Sequence, residues 1–377
     1  MTNQERRDRL ILARSEGIGP VSFRRLLVRF GSARAALDAL PALASSGGGS
    51  RFAAPSPAAI DHELRQLHKL GGRMIFWGET EYPAVLADLP DAPPVLTVLG
   101  DVALLAGRAV AIVGSRNASA NGMRMAEQLS ADLAETGLVV VSGLARGIDT
   151  AAHKGAMITG KTIAVIAGGV DVVYPPENAA LQALIGKQGA IISEAPLGTD
   201  PQSRHFPRRN RIIAGLALGV VVVEAAPKSG TLITAREAQD AGREIFAVPG
   251  SPLDPRARGA NDLIRQGAYL VETAADVLAQ LPERPRSAGL FQSSEFRTPG
   301  LANAQDSFGL DPDEAEKAMK IIPNLLGPTP TDVDDLLRRC QFSTSAMQAA
   351  LLELELDGRI TWAAGNRVVL VEGLKRS

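Results

Sequence analysis

The 377-residue chain holds one cysteine, Cys340. No internal disulfide and no cysteine metal cluster can form, which fits a reducing cytosol. Histidine is nearly as scarce. His62, His68, His153 and His205 are the only four, and none forms the H-E-x-x-H pair that places two imidazoles on a zinc ion. An excess of either charge is also missing: 40 basic residues face 41 acidic ones, a net −1. A polyanionic or membrane partner must therefore be read from local charge. No apolar run approaches the roughly 18 residues of a membrane span, and the opening MTNQERRDRLILARSEGIGP predicts no signal peptide. Two nucleotide motifs are absent as well. There is no G-x-x-x-x-G-K-[ST], and no G-x-G-x-x-G follows the first apolar run, so P-loop and dinucleotide readings are disfavoured. Hydrophobic residues at 45% and charged residues at 21% exclude a wholly disordered chain.

Two low-complexity breaks divide the sequence. Ala44–Ala59 reads ASSGGGSRFAAPSPAA, and Pro282–Gly309 holds ten Pro, Ser or Gly in 28 residues. The expected division is a helical module over 1–80, a middle domain over 81–281, a linker over 282–309 and a C-terminal module over 310–377. In the first module, Leu10–Leu12 and then Phe23, Leu26, Leu27 and Phe30 flank Gly17-Ile18-Gly19-Pro20. Helix, tight turn and helix predict a helix-hairpin-helix or a structural hairpin of the SAM type. The former can hold a phosphate on free N–H groups.

The middle domain alternates apolar runs with helical segments. The runs are Ala109–Val113, Leu138–Val141, Thr162–Ala167, Ala190–Ser193, Gly219–Glu224 and Glu244–Val248. Near-continuous Val/Ile runs at this spacing predict a doubly wound α/β domain with a buried parallel sheet. Ligands then bind beyond the carboxyl ends of the strands. The last module predicts three helices (315–326, 332–340 and 343–356) and a hairpin of Arg359–Ala363 with Arg367–Val371, together a winged helix. Residues 310–377 sum to −3, and Ser343–Leu356 carries two Glu with no Lys or Arg. That is the wrong sign for a DNA-reading helix, so a protein-contact or structural wing is expected.

Chemistry concentrates just after the runs. Gly114-Ser115-Arg116 opens a helix, and Ser142-Gly143-Leu144-Ala145-Arg146-Gly147 opens another, with Asp149 beyond it. Each glycine turn is either plain strand-to-helix geometry or a phosphate cradle with an arginine donor. Lys228-Ser229-Gly230-Thr231 forms a third such turn. Between them lies Arg204-His205-Phe206-Pro207-Arg208-Arg209-Asn210-Arg211, with no acid anywhere from Pro201 to Val223. Arginine forks and one aromatic platform are what a single strand of nucleic acid needs. Phe206 is either that platform or a core residue. His153 and Asp149 share a helical face, but no elbow serine accompanies them. His153 reads as a capping or packing residue, and no catalytic set, metal or cofactor is expected.

AIVGSR (111–116), SGLARGIDTAAH (142–153), Tyr174-Pro175, FPRRNRIIAGL (206–216), SGTLIT (229–234), Val248-Pro249-Gly250 and GANDLI (259–264) together resemble the DprA/Smf family of bacterial DNA-processing proteins. The resemblance implies an extended Rossmann domain that binds single-stranded DNA, forms a homodimer and loads a RecA-type recombinase. It implies that Gly114, Ser115 and Arg116 hold phosphate, and that Phe206, Arg208, Asn210 and Arg211 line a pocket for backbone and base. Many relatives have Lys after the Tyr-Pro pair, where this chain has Pro176. The corresponding phosphate contact would fall to Arg204 or Lys228. Two further readings stand beside this one. Ser229-Gly230-Thr231 with Glu237 distantly resembles the phosphate loop of nucleoside-monophosphate phosphoribohydrolases. The wing could make the chain a duplex-DNA regulator.

Overall fold

A computed structural model describes residues 1–46, 53–227, 229–283, 312–327, 329–340, 342, 347, 350–351, 354, 359–363 and 367–370. The chain divides into two units, Ala58–Phe291 and a second made of Met1–Pro57 with Gln292–Ser377.

In the second unit, α1 (Asn3–Arg14), α2 (Pro20–Phe30) and α3 (Ala33–Ser46) bury Leu12, Phe23, Leu26 and Leu40 together. Pro20 opens α2, where its missing N–H costs nothing, and Gly31 closes it with φ 73°.

The larger unit begins with α4 (Pro57–Lys69), β1 (Arg73–Phe76), α5 (Ala84–Ala87) and β2 (Val95–Gly100). Then come β3 (Ala109–Gly114), α6 (Ala120–Glu135), β4 (Val139–Ser142), α7 (Ile148–Ala156), β5 (Thr162–Val165), α8 (Ala179–Gln188) and β6 (Ala190–Ser193). They are followed by α9 (His205–Leu216), β7 (Gly219–Val223), α10 (Gly230–Asp240), β8 (Glu244–Ala247), α11 (Arg258–Arg265), β9 (Tyr269–Leu270) and α12 (Ala274–Gln280). The sheet order is β1-β2-β6-β5-β4-β3-β7-β8-β9. From β6 to β9 all pairs are parallel, as the apolar runs predict. The antiparallel strands β1 and β2, and the two-residue β9, have no counterpart among those runs.

Side chains alternate across the sheet. Val110, Ile112, Val140 and Val221 face Leu129 and Leu133 of α6, Ile148 of α7 and Val277 of α12. Ala111, Val113, Val141 and Val220 face Ile212, Ile213 and Leu216 of α9 and Ala235 of α10. Helices thus cover both faces. Strand order reverses between β3 and β7, and both strands end at one edge, where α6, α7 and α10 begin. Because α9 leads back into β7, its first turn also lies at this carboxyl edge.

One close approach locks two of these helices. A Cβ on Gly155 of α7 would run into the Glu127 backbone carbonyl of α6. Gly155→Ala is expected to destabilise the fold by about 1–3 kcal/mol through overpacking, read by urea denaturation. An unchanged midpoint would mean that the helices can part freely.

The remaining elements are α13 (Pro312–Leu325), β10 (Thr331–Asp332), α14 (Val333–Cys340), β11 (Ile360–Ala363) and β12 (Arg367–Leu370), with sheet order β10-β12-β11. Residues 347, 350, 351 and 354 are helical, within the third helix expected from the sequence. Their side chains join Ile322, Leu336, Ile360 and Val368 in one core. The hairpin tip at 364–366 lies outside the described residues. Among the described residues no helix is long and apolar enough to cross a membrane, and no group of His, Cys, Asp or Glu could hold a metal ion.

Candidate nucleic-acid interface

The carboxyl edge is built from three loops and the start of α9. Gly114 ends β3 so close to β7 that a Cβ there would collide with the Val223 carbonyl. Ile148 donates its N–H to the Ser115 carbonyl at 3.2 Å, which ties the first loop to the start of α7. Gly147, with φ 77°, passes close to the Ser115 and Arg116 carbonyls. Arg116 is left exposed on this base.

Burial splits α9 in two. Arg204 and Arg208 are exposed and Phe206 is half-buried, whereas Arg209, Asn210 and Arg211 are buried. The Arg116 guanidinium stands 4.8 Å from the Phe206 ring centre, and that of Arg209 stands 5.9 Å from it. Tyr174, from the loop after β5, has its ring 5.9 Å from Phe206 at 52°. Two aromatics and a stacked, exposed arginine thus form a ledge at the start of α9. A small depression lies at the ledge, lined by Gly143, Ala145, Gly168, Tyr174, Phe206 and Arg209 among others.

Arg209 supports the ledge from beneath. Its Nη1 donates to the Val165 carbonyl at 3.1 Å. A Cβ at Gly143 would occupy the space of its guanidinium. Burial pulls this guanidinium down to about 10, opposed by the charge of Asp149, so it stays protonated at neutral pH. Burial likewise pushes the Asp149 carboxyl up, against the attraction of Arg209, the Ala145 N–H and the charge of Arg116. The Gly143–Gly147 loop is held in shape by further bonds. Leu144 takes φ 55°, and its carbonyl accepts from Asn178 Nδ2 at 2.9 Å.

The other candidates are placed differently. Arg146 is exposed and pairs with Glu177 at 3.5 Å, a surface pair worth little. Arg211 donates to the Asp91 carbonyl and to Glu194, and Asp91 Oδ2 lies 3.5 Å away. Its charge is thereby committed within the protein. Thr231 Oγ1 donates to the Gly114 carbonyl at 3.0 Å, joining the third turn to the first. Ser229 is the N-cap of α10 without a side-chain capping bond, and its buried Oγ has no partner among the described residues. Gly230 has open space where a Cβ would stand. Lys228 lies outside the described residues. His153 is fully buried and hydrogen-bonded to Thr162, a packing role. Tyr174 is the site residue that the cation pattern missed. Its signal was present in the Tyr174-Pro175 pair, but it joins Phe206 only through the fold.

The architecture is that of an extended Rossmann-like domain with one small module before it and another after it in the chain. Residues 73–282 match the family model described as DNA recombination-mediator protein A. Residues 3–65 match the DprA-like N-terminal helix-hairpin-helix domain, and residues 309–366 the DprA winged helix domain. The chain belongs to the DprA/Smf family. It is 32% identical to Protein Smf of Synechocystis sp. over 97% of this chain and 99% of that protein. The crystal structure of DNA processing protein A from Streptococcus pneumoniae superposes with a TM-score of 0.61 at 38% identity, covering 75% of this chain and 99% of that one. Helicobacter pylori DNA processing protein A, whose structure was described for its single-stranded DNA binding mode, gives a TM-score of 0.51 at 30% identity. That match covers 56% of this chain and 95% of the other.

Proposed function

We propose that this chain binds single-stranded DNA without sequence preference along the carboxyl edge of its Rossmann-like domain, and that as a homodimer in the cytosol it delivers that strand to a RecA-type recombinase. The observation that carries this reading is the half-buried Phe206 ring with the exposed Arg116 stacked at 4.8 Å, at the start of a helix that also exposes Arg204 and Arg208. Every base offers a face to an aromatic platform, so such a ledge holds any sequence, and the arginines meet the phosphates. The single-strand binding mode described for the Helicobacter pylori relative supports the same reading. The reading is one of binding rather than catalysis. Asp149 is buried against Arg209 and Glu224 is hydrogen-bonded to Ser119, so neither carboxylate faces a substrate.

The test is a mobility assay with single- and double-stranded DNA of equal sequence. The single strand is expected to bind more tightly, with a salt slope of about −0.7 per phosphate neutralised. Equal or tighter duplex binding refutes the reading. A shortened chain isolates the domain responsible. Leu281 is buried and the Pro282 carbonyl accepts from Arg108 at 3.3 Å, so the cut belongs after Glu283. The shortened chain is expected to keep most single-strand affinity, because the removed module is acidic. Abolished binding by a folded, dimeric truncation would assign the DNA contact to the winged helix instead.

A further inference from the structure

The edge between β3 and β7 is where a Rossmann-like sheet ordinarily seats a nucleotide phosphate, on the first turn of the helix that follows the first strand. Here that helix is α6, and its first turn is already occupied from within. Glu224, the residue immediately after β7, accepts from the Ser119 N–H at 2.9 Å and from the Ser119 hydroxyl. Ser119 is the N-cap of α6, and its Oγ in turn accepts from the Gly122 N–H at 2.9 Å. A carboxylate thus sits where a bound phosphate would, and it completes the cap as an anion at the positive end of the helix.

Two further observations show that this seat is built. Glu224 holds φ 55°, a left-handed conformation that non-glycine residues adopt at a cost and that persists where surrounding bonds over-determine it. Gly122 lies directly under the carboxyl group. A Cβ there would come within 2.6 Å of Glu224 Cδ and 2.7 Å of Oε1. The carboxylate therefore fits flat against the helix. The guanidinium of Arg256, paired with Asp254, is close enough to interact with the charge of Glu224.

We infer that Glu224 is a specificity determinant: an internal anion that seals the switch-point crevice against mononucleotide and dinucleotide phosphates. Phosphate binding on this edge is then left to the Arg116–Phe206 ledge, where a continuous strand can lie. The physical reason is that a phosphate entering the α6 turn would have to displace a carboxylate held by two donors. It would also leave that carboxylate beside its own charge. The inference deepens the strand-binding reading and depends on it only for the place where the strand binds.

The test uses full-length Glu224→Gly and Glu224→Asn, since both residues suit left-handed backbone. Melting is followed in inorganic phosphate and in sodium chloride at matched ionic strength. The wild type is expected to show only the small, non-saturating rise that an excluded, kosmotropic salt gives, and the variants are compared with that baseline. Each variant is expected to melt higher in phosphate, with the rise growing with phosphate concentration as one-site linkage requires. Oligothymidine affinity, measured in chloride, is expected to stay at the wild-type level. Folded variants that ignore phosphate overturn the inference, and so does a wild type that phosphate stabilises equally. Loss of oligothymidine binding in the variants also overturns it, by making Glu224 part of the strand site. A titration of the wild type with ADP adds an arm that needs no variant, since saturable binding at the α6 turn contradicts a sealed crevice. If the wild type fails to bind oligothymidine, the strand-binding reading falls, while the phosphate comparison still decides the role of Glu224.

Discussion

Lowering the pH from 6.5 toward about 3 is expected to destabilise the wild-type chain more steeply than a His153→Asn variant, the difference growing by about 1.4 kcal/mol per pH unit. His153, on α7, is wholly buried against Thr162 at the start of β5. Thr162 Oγ1 donates its single proton to the Val140 carbonyl at 2.9 Å, so toward His153 Nδ1, 2.7 Å away, it can only accept. The ring is therefore the neutral Nδ1–H tautomer, and the lone pair on Nε2 is buried without a partner among the described residues. Protonating Nε2 places an unpaired charge in the core. Burial first, and then the charge of Arg209, pull the imidazole down from 6.5 to about 3, with a hydrogen bond to the Ser142 backbone acting the other way. A depressed folded value means that the unfolded chain takes up the proton first. The stabilising contribution is complete above 6.5 and drains away as pH falls toward the folded value. Asparagine keeps an N–H for Thr162 and does not titrate. Urea denaturation of both proteins across this pH range measures the difference. Parallel curves would show that His153 is not the acid-sensitive group.

Arg116→Ala is expected to weaken oligothymidine binding by about 1.5–3 kcal/mol, the loss of a charge-assisted phosphate contact. Phe206→Ala is expected to weaken it by about 1–3 kcal/mol, the loss of a stacked base. The two should not add. The guanidinium lies 4.8 Å over the ring, so removing either group disturbs the surface that the other presents, and a double-mutant cycle should show coupling. The half-burial of Phe206 predicts a small change in melting temperature. A core phenylalanine would instead cost about 3–5 kcal/mol of stability. A variant that melts like a core deletion and binds DNA normally would remove Phe206 from the interface. Arg211→Ala separates the arginines. Its guanidinium is committed to Asp91 and Glu194, so the loss should appear in stability rather than in the salt dependence of binding.

Much of this was readable along the chain. Uninterrupted Val/Ile runs such as Gly219–Val223 announce strands buried on both faces, because only a sheet covered by helices on each side tolerates them. Glycines at 114, 143 and 147 mark the turns, since neighbouring backbone at 114 and 147 and the Arg209 guanidinium at 143 leave no room for a side chain. The arginine cluster and its one phenylalanine stand out as local composition. The strands β1 and β2 were not readable, because their short runs carry no crossover spacing and they add to the sheet antiparallel through long-range pairing. Nor could the sequence sort Arg204 to Arg211. All four arginines look alike in a row, and only packing decides that 204 and 208 meet solvent while 209 and 211 turn inward. Tyr174 reaches Phe206, and Glu224 reaches Ser119, across long stretches of chain. The sequence by itself determined the parallel strands from β3 to β8, their turns and the charge brought to one edge, because those follow from local steric and hydrophobic rules. The tertiary structure alone decided which cations are free, which anion fills the first helix and where the aromatic ledge lies, because each depends on burial and on a partner distant in the chain.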